Sequence, residues 1–129
     1  MGYFHKWEDF PEVEAYYLLE KLGISPLARI MSGEKIMVIS VKAPKGIPAL
    51  MHRHEAEQIV ILFKGKMKCI MEGVQPRIIG PGEIWVIPSN VPHGGEMLED
   101  TEFLEICAPP RLDMLGGYTV SHTVVLDQE

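Results

Sequence analysis

The chain has 129 residues, of which 47% are hydrophobic and 23% charged, and its formal net charge is -6 at pH 7. This length suits one domain with its own apolar core. The acidic balance and the scattered lysines and arginines argue against a nucleic-acid partner, because phosphate binding needs clustered basic residues. We see no signal peptide and no apolar run that approaches the roughly 20 residues of a membrane span. We therefore expect a cytoplasmic protein that has no membrane partner.

The N-terminal part of the chain has the least regular pattern, and we predict an arm over residues 1–27. Residues 13–23 allow either a short helix that ends at Gly23 or a strand that enters a sheet. We favour a strand or an irregular arm. At the other end, residues 112–129 are predicted to form a tail that covers the domain.

Between residues 28 and 111, short runs rich in Val and Ile alternate with Gly and Pro turn signals. Short strands between regular turns are typical of a small sandwich or barrel, so we predict an all-β domain over 28–111. Several runs are apolar on consecutive residues. Both faces of those strands are therefore expected to be covered, one by the core and the other by a partner chain or the arm. The runs are KIMVISVKA, EQIVILFKG, KMKCIMEG, RIIG, EIWVIP and EFLEICA.

The two cysteines, Cys69 and Cys107, both lie in apolar runs that look like strands. Two cysteines are too few for a disulfide scaffold. Buried free thiols in a reducing compartment are the favoured interpretation, and one bridge or a reactive thiol is the alternative.

The segment HRHEAEQ contains the first candidate metal ligands. Successive side chains of a strand point to opposite faces, so His52, His54 and Gln58 share a face if one regular strand runs through the segment. Glu57 then points the other way, unless a bulge shifts the register. Two imidazoles and an amide oxygen on one face can hold a metal ion if other elements supply more ligands.

A second segment supplies the next candidate. In GPGEIWVIPSNVPHGG, a strand ends at Pro88 and a loop leads to His93, with two glycines following that leave room beside the imidazole. His93 is thus the natural third histidine. Taken singly, HxH in a strand and a histidine in a loop are both more often ordinary polar residues than ligands; their joint spacing carries the prediction.

Together the two segments resemble the paired motifs of the cupin superfamily. The first motif is Gly, five residues, HxH, three or four residues, Glu, six residues and Gly, and residues 46–65 fit it with Gln58 in place of Glu. The second is Gly, five residues, Pro-x-Gly, two residues, His, three residues and Asn. Residues 82–97 fit this motif with Asn90 in place of Gly and Met97 in place of the final Asn.

The resemblance implies a double-stranded β-helix, or jelly-roll barrel, which is usually dimeric and has a metal ion near its centre. The ligands it implies are His52, His54, Gln58 and His93, and Met97 is expected to pack beside the site. Four neutral ligands leave a divalent ion its full charge, which favours Lewis-acid chemistry over redox cycling of iron. The expected cofactor is one divalent transition metal ion, with zinc, nickel, iron and manganese left open.

The chain is also similar to the single-domain cupins that linearise unsaturated uronates from pectin and alginate. That resemblance implies two further site residues, Glu105 and Arg111, although the family more often has Asp at the first position and an aromatic residue where Cys107 stands. Arg111 would hold a substrate carboxylate and Glu105 would move a proton. The alternatives are a surface ion pair for Arg111 and an exposed carboxylate at a strand edge for Glu105.

The sequence therefore favours an enzyme that isomerises or opens a small anionic, sugar-derived substrate without redox change, and that works as a homodimer. One alternative is a binding or sensory cupin without catalysis. The other is an iron-dependent cupin of the dioxygenase type.

Overall fold

The described part of the chain consists of β-strands and one 3-10 turn at Trp7–Asp9. The structure is a computed structural model that describes residues 2–15, 23–111 and 124–126. No helix in these ranges is long and apolar enough to cross a membrane. The strands are β1 (Val13–Glu14), β2 (Leu27–Ser32), β3 (Met37–Ala43), β4 (His52–His54), β5 (Glu57–Lys64), β6 (Met67–Met71), β7 (Val74–Ile79), β8 (Ile84–Ile87), β9 (His93–Met97), β10 (Thr101–Ala108) and β11 (Val124–Leu126).

The strands form two antiparallel sheets. One has six strands in the order β1-β2-β3-β10-β5-β8, and the other has five in the order β11-β4-β9-β6-β7. Neighbours such as β3 and β10, or β4 and β9, lie far apart in sequence, as a double-stranded β-helix requires. The predicted all-β jelly-roll class is confirmed. In the predicted arm, residues 13–14 are a strand paired with β2, and residues 16–22 lie outside the described part of the chain.

The core lies between the two sheets and is filled by alternate residues of the longer strands. In β3 and β10 every second side chain is buried, which is the period of a strand that faces the core on one side. Cys69 and Cys107 are both buried, as predicted, and no disulfide joins them. The buried apolar residues are Ala15, Ala28, Met37, Ile39, Val41, Ala43, Ile47, Ala56, Val60, Leu62, Met67, Cys69, Ile79, Ile87, Met97, Phe103 and Cys107.

The condition of one regular strand through the histidine segment is not met. Residues 52–58 are not one regular strand, because β4 ends at His54, the chain bends at Glu55 and Ala56, and β5 starts in the other sheet. Gln58 nevertheless points inward and Glu57 outward, since the inner faces of the two sheets oppose each other. The amide therefore approaches the histidines from across the barrel.

Two motif residues, Asn90 and Gly65, have a positive φ. Asn90 has φ 61°, in the left-handed region that glycine occupies at no cost and that asparagine tolerates better than most residues. This conformation explains why asparagine can replace the motif glycine. At Gly65 φ is 90°, and an added Cβ would lie 2.4 Å from the Asp100 carbonyl oxygen, so only glycine fits.

Candidate metal centre

Three histidines converge inside the barrel. His52 and His54 come from β4, and His93, the first residue of β9, is the direct cross-strand partner of His52. One ring nitrogen from each lies within 4.8 Å of the others. Ligands of one zinc ion are about 3–4 Å apart, so a small inward movement would bring all three to a single ion.

Local hydrogen bonds fix which nitrogen each histidine offers. The Nδ1 atoms of His52, His54 and His93 lie 2.7, 2.8 and 2.8 Å from the carbonyl oxygens of Leu50, Ala56 and Val91, respectively. A carbonyl oxygen only accepts, so each Nδ1 carries the proton and donates it. In the neutral ring the lone pair is then on Nε2, which is the atom left to bind a metal.

The electrostatic environment keeps two of these rings neutral. Burial lowers the pKa of His54 to about 4, and the positive charge of Arg111 and the neighbouring His93 add to this effect. Burial also lowers the pKa of His93 to about 4, assisted by His52 and Arg111. Both lone pairs are therefore available at neutral pH.

Gln58 completes the cluster from the six-stranded sheet. Its side chain is buried, and its Oε1 atom lies 3.0 Å from His54 Nε2. Since Nε2 carries a lone pair, two acceptors face each other here. The contact is stable when a cation lies beside both atoms, or when the amide turns and its NH2 group donates.

The donor set fits a divalent metal ion. His93 Nε2 is buried and has no hydrogen-bond partner among the described residues, which is costly unless something binds it. Imidazole nitrogen is a good ligand for zinc, nickel and iron, and an amide oxygen is compatible with all three. The described residues therefore provide a candidate site with three histidines, and Gln58 lies beside it.

The two other predicted site residues are also buried. Arg111 is 2% exposed and Glu105 is 5% exposed, so neither a surface ion pair nor an exposed strand-edge carboxylate describes them. Arg111 lies close enough to His54 and His93 to lower the pKa of both. Glu105 points inward from β10, two residues before Cys107, which pairs with Gln58 across β5 and β10.

The structure adds two neighbours that the sequence did not single out for the site. Trp85 lies edge-on to His93 with 6.1 Å between ring centroids. Met71 is the cross-strand partner of His93 on β6. Both are partly buried and pack against the core, so they give the site an apolar side. The alternation of side chains in EIWVIP predicts that Trp85 and Ile87 point the same way. Nothing in the local sequence predicts that Met71 lies beside His93.

The fold and the histidine cluster together define a β-barrel with a candidate metal site. A family model described as a cupin domain matches residues 38–107, which is more than half of the chain. The chain belongs to the cupin family. The division into arm, domain and tail at residues 27 and 111 stays a prediction.

Known proteins with related sequences or folds include enzymes. The dimethylsulfoniopropionate lyase DddQ of Ruegeria pomeroyi is 34% identical over 85 residues, or 66% of this chain, and the chain spans only 40% of that relative. The structure of KdgF from Halomonas sp. is 25% identical, with a TM-score of 0.71 over 86% of this chain and 98% of that one. An RmlC-like cupin from Shewanella frigidimarina, at 17% identity and a TM-score of 0.74, covers 88% of this chain and 96% of its own and shows the fold alone.

Proposed function

We propose that this cupin is a metal-dependent enzyme that isomerises or opens the ring of a small anionic substrate such as an unsaturated uronate. The observation that carries the proposal is the meeting of three histidines and Gln58 beside the buried Arg111. The resemblance to uronate-linearising cupins supports the same reaction class. We also propose that the protein is cytoplasmic and forms a homodimer.

The ligand set favours chemistry without redox change. Gln58 supplies a neutral amide where a carboxylate is usual, so His52, His54, Gln58 and His93 add no negative charge. A bound divalent ion would polarise a substrate hydroxyl or carbonyl as a Lewis acid. The neutral ligands stabilise a ferric ion less than a carboxylate does, which disfavours the iron-dependent dioxygenase alternative.

Arg111 would bind and orient the substrate. A guanidinium group holds a carboxylate through two parallel hydrogen bonds, and its attraction for an anion is stronger inside the protein than in water. Arg111 is buried next to two of the histidines, so the bound carboxylate would lie close to the metal ligands.

Glu105 would carry the proton. Its side chain faces the barrel interior on the strand that pairs with β5, at a position diagonal to Gln58. Diagonal neighbours in a sheet are roughly 7–8 Å apart, which leaves room for a small substrate between them. In an isomerisation, one proton leaves a substrate oxygen and one is returned to carbon, so a single acid–base group can do both.

A second candidate function follows from the sequence match to dimethylsulfoniopropionate lyase DddQ. An elimination from a small carboxylate needs the same parts, namely a cation-binding set of ligands, a carboxylate anchor and a base. Glu105 would then remove a proton from carbon, and the leaving group would depart without the proton being returned.

The test begins with protein purified without chelator. Elemental mass spectrometry is expected to find one divalent metal ion per chain. The metal-loaded protein is then assayed with an unsaturated uronate, by loss of alkene absorbance, and separately with dimethylsulfoniopropionate. Oxygen uptake with ferrous iron serves as a further assay. Turnover of the lyase substrate alone would transfer the proposal to the second candidate, and tight binding without turnover would favour a sensory cupin.

Variants of two arginines test the anchor. Arg111→Ala is expected to raise KM for the anionic substrate and leave metal content unchanged. Arg77→Ala is the matched control, because Arg77 is exposed on β7, where it pairs with Glu83. Loss of metal in the Arg111 variant would show that this side chain supports the metal site instead.

A further inference from the structure

Trp85 lies on the inner side of β8, which is the edge strand of the six-stranded sheet. Its neighbours in sequence, Ile84 and Val86, are exposed, whereas Trp85 packs against the core, because side chains alternate along a strand. The indole is only partly buried, so some of its surface stays open. A ligand inside the barrel can cover that surface.

The register of the sheet puts Trp85 in one row with Glu105, the proposed proton carrier. Trp85 pairs with Val60, and Val60 pairs with Glu105, so three inward side chains lie side by side across β8, β5 and β10. Strands are about 4.8 Å apart, which places Trp85 and Glu105 on the order of 10 Å apart along the row. The residue between them is a short valine. A small substrate that contacts Glu105 is therefore within reach of the indole.

Contacts within the protein leave much of the Trp85 side chain available. The ring planes of Trp85 and His93 are nearly perpendicular, at 87°, and no other ring contacts Trp85 in the part of the chain that the structure describes. At least one face of the indole is thus not covered by another ring. The indole N–H, which only donates, has no hydrogen-bond partner among the same residues, although such a group usually finds one when buried.

We propose that Trp85 makes this site specific for a carboxylate that carries a six-membered ring. The inference rests on the proposed function and names the feature by which the substrate is selected. Arg111 would hold the carboxylate, while the indole face packs on the ring and the indole N–H donates to a ring oxygen. The face of an indole is negative and attracts the C–H groups of a sugar ring. In an unsaturated uronate, the alkene and the carboxylate conjugated with it are flat, which suits offset stacking.

An acyclic substrate would use this surface less. A short carboxylate held by Arg111 has few atoms that reach Trp85. A sulfonium or other cation could bind an indole by cation–π attraction. Here it would lie beside His93, close to Arg111 and to any divalent ion that His93 holds, and both positive charges repel it. The charges therefore favour a neutral ring at Trp85.

Tryptophan fluorescence gives a direct test, because the chain has two tryptophans. Trp7→Phe leaves Trp85 as the sole indole, and Trp7 lies in the arm against Phe10. Metal-loaded Trp7→Phe protein is titrated with D-galacturonate, a saturated uronate without the reactive alkene, and separately with propionate. Galacturonate should change the Trp85 emission saturably, at a half-saturation concentration at least about tenfold below that of propionate. No saturable change with galacturonate would overturn the inference.

Calorimetry of variants separates a ligand contact from a structural role. Trp85→Leu should weaken galacturonate binding about tenfold and propionate binding by less than about twofold, since only the ring loses its partner. Trp85→Phe, which keeps an aromatic face and loses the N–H, should fall between and replaces the leucine variant if circular dichroism or metal content shows misfolding. Trp7→Phe is the matched control and should bind like wild type. Equal losses for the two ligands, or tighter binding of dimethylsulfoniopropionate than of galacturonate, would overturn the inference.

The binding assays do not require catalysis, so this inference and the proposed reaction can fail separately. Galacturonate binding through Trp85, without turnover of an unsaturated uronate, would support the inference and refute the reaction. Turnover with the same KM in Trp85→Leu and wild type would support the reaction and refute the inference.

Discussion

The two sheets of this barrel differ on both of their faces. On the inside, the five-stranded sheet contributes three histidines and the six-stranded sheet contributes Gln58 and Glu105. On the outside, the charged residues Lys68 and Glu96 interrupt the surface of the five-stranded sheet, whereas the surface of the six-stranded sheet is mostly aliphatic. One sheet thus supplies most of the candidate metal ligands, while the other supplies the remaining polar groups and has an apolar outer face. The candidate metal site lies in the space where the inner faces meet.

The largest effect should come from removing a ligand of the five-stranded sheet. His93→Ala is expected to lower metal affinity by about 100-fold or more, since even changes outside the ligand set cost 10–100-fold. Metal titration of chelator-treated protein measures this. His5→Ala, in the exposed arm, is the control and should titrate like wild type. Equal affinities for His93→Ala and wild type would remove His93 from the site.

The same sheet should make the metal-free protein sensitive to acid. The pKa values of His54 and His93 are about 4, below the usual 6.5, so the unfolded chain takes up protons first as pH falls. The contribution of these histidines to the free energy of unfolding is therefore fully present above pH 6.5. It is lost as the pH falls from 6.5 to 4, by on the order of 3 kcal/mol for each histidine. Urea unfolding across this range measures the loss.

The control for this acid sensitivity is the double variant His54→Gln, His93→Gln. It lacks both groups and should lose much less stability over the same range. A wild-type profile that stays flat between pH 6.5 and 4 would contradict the assigned protonation of the two rings.

A smaller effect is expected from the six-stranded sheet. Gln58→Glu should keep the fold and the metal but increase metal affinity by about tenfold. A carboxylate in contact with the ion adds an electrostatic attraction that the neutral amide lacks, and about 1.4 kcal/mol of it corresponds to that factor. The rate of the Lewis-acid reaction should fall. Glu57→Gln is the matched control, since residue 57 points outward. An unchanged metal profile in Gln58→Glu would show that residue 58 is not a ligand.

The smallest effect concerns the loop that joins the two sheets between β8 and β9. Asn90 donates its backbone N–H to the His54 carbonyl oxygen at 2.8 Å while holding φ at 61°. Asn90→Ala should lower the free energy of unfolding by about 1 kcal/mol, because alanine is strained in this region. Asn90→Gly should be nearly neutral. Thermal unfolding compares the two, and a larger loss in the glycine variant would exclude backbone strain as the cause.

Both the fold class and the convergence of the three histidines could be predicted from the sequence, because both depend on the spacing of the two motifs. Motif spacing places HxH and His93 on two different strands, which the structure shows as β4 and β9, and strand parity sends Gln58 inward and Glu57 outward. Parity alone could not show that the chain changes sheets at Glu55 and Ala56, since a bend leaves the in–out alternation intact. It could not show the register of β6 with β9 either, which places Met71 beside His93. Such pairings depend on contacts between distant segments.

The hydrogen bonds at the three Nδ1 atoms have a consequence for metal choice. Each joins a histidine to a carbonyl oxygen only two residues away, so the rings are oriented before any ion arrives. A preorganised set of neutral ligands loses little entropy on binding and does little to reject one divalent ion in favour of another. Affinity would then follow the intrinsic order of the first-row metals. The ion held in the cell would be decided by which metal is available when the chain folds.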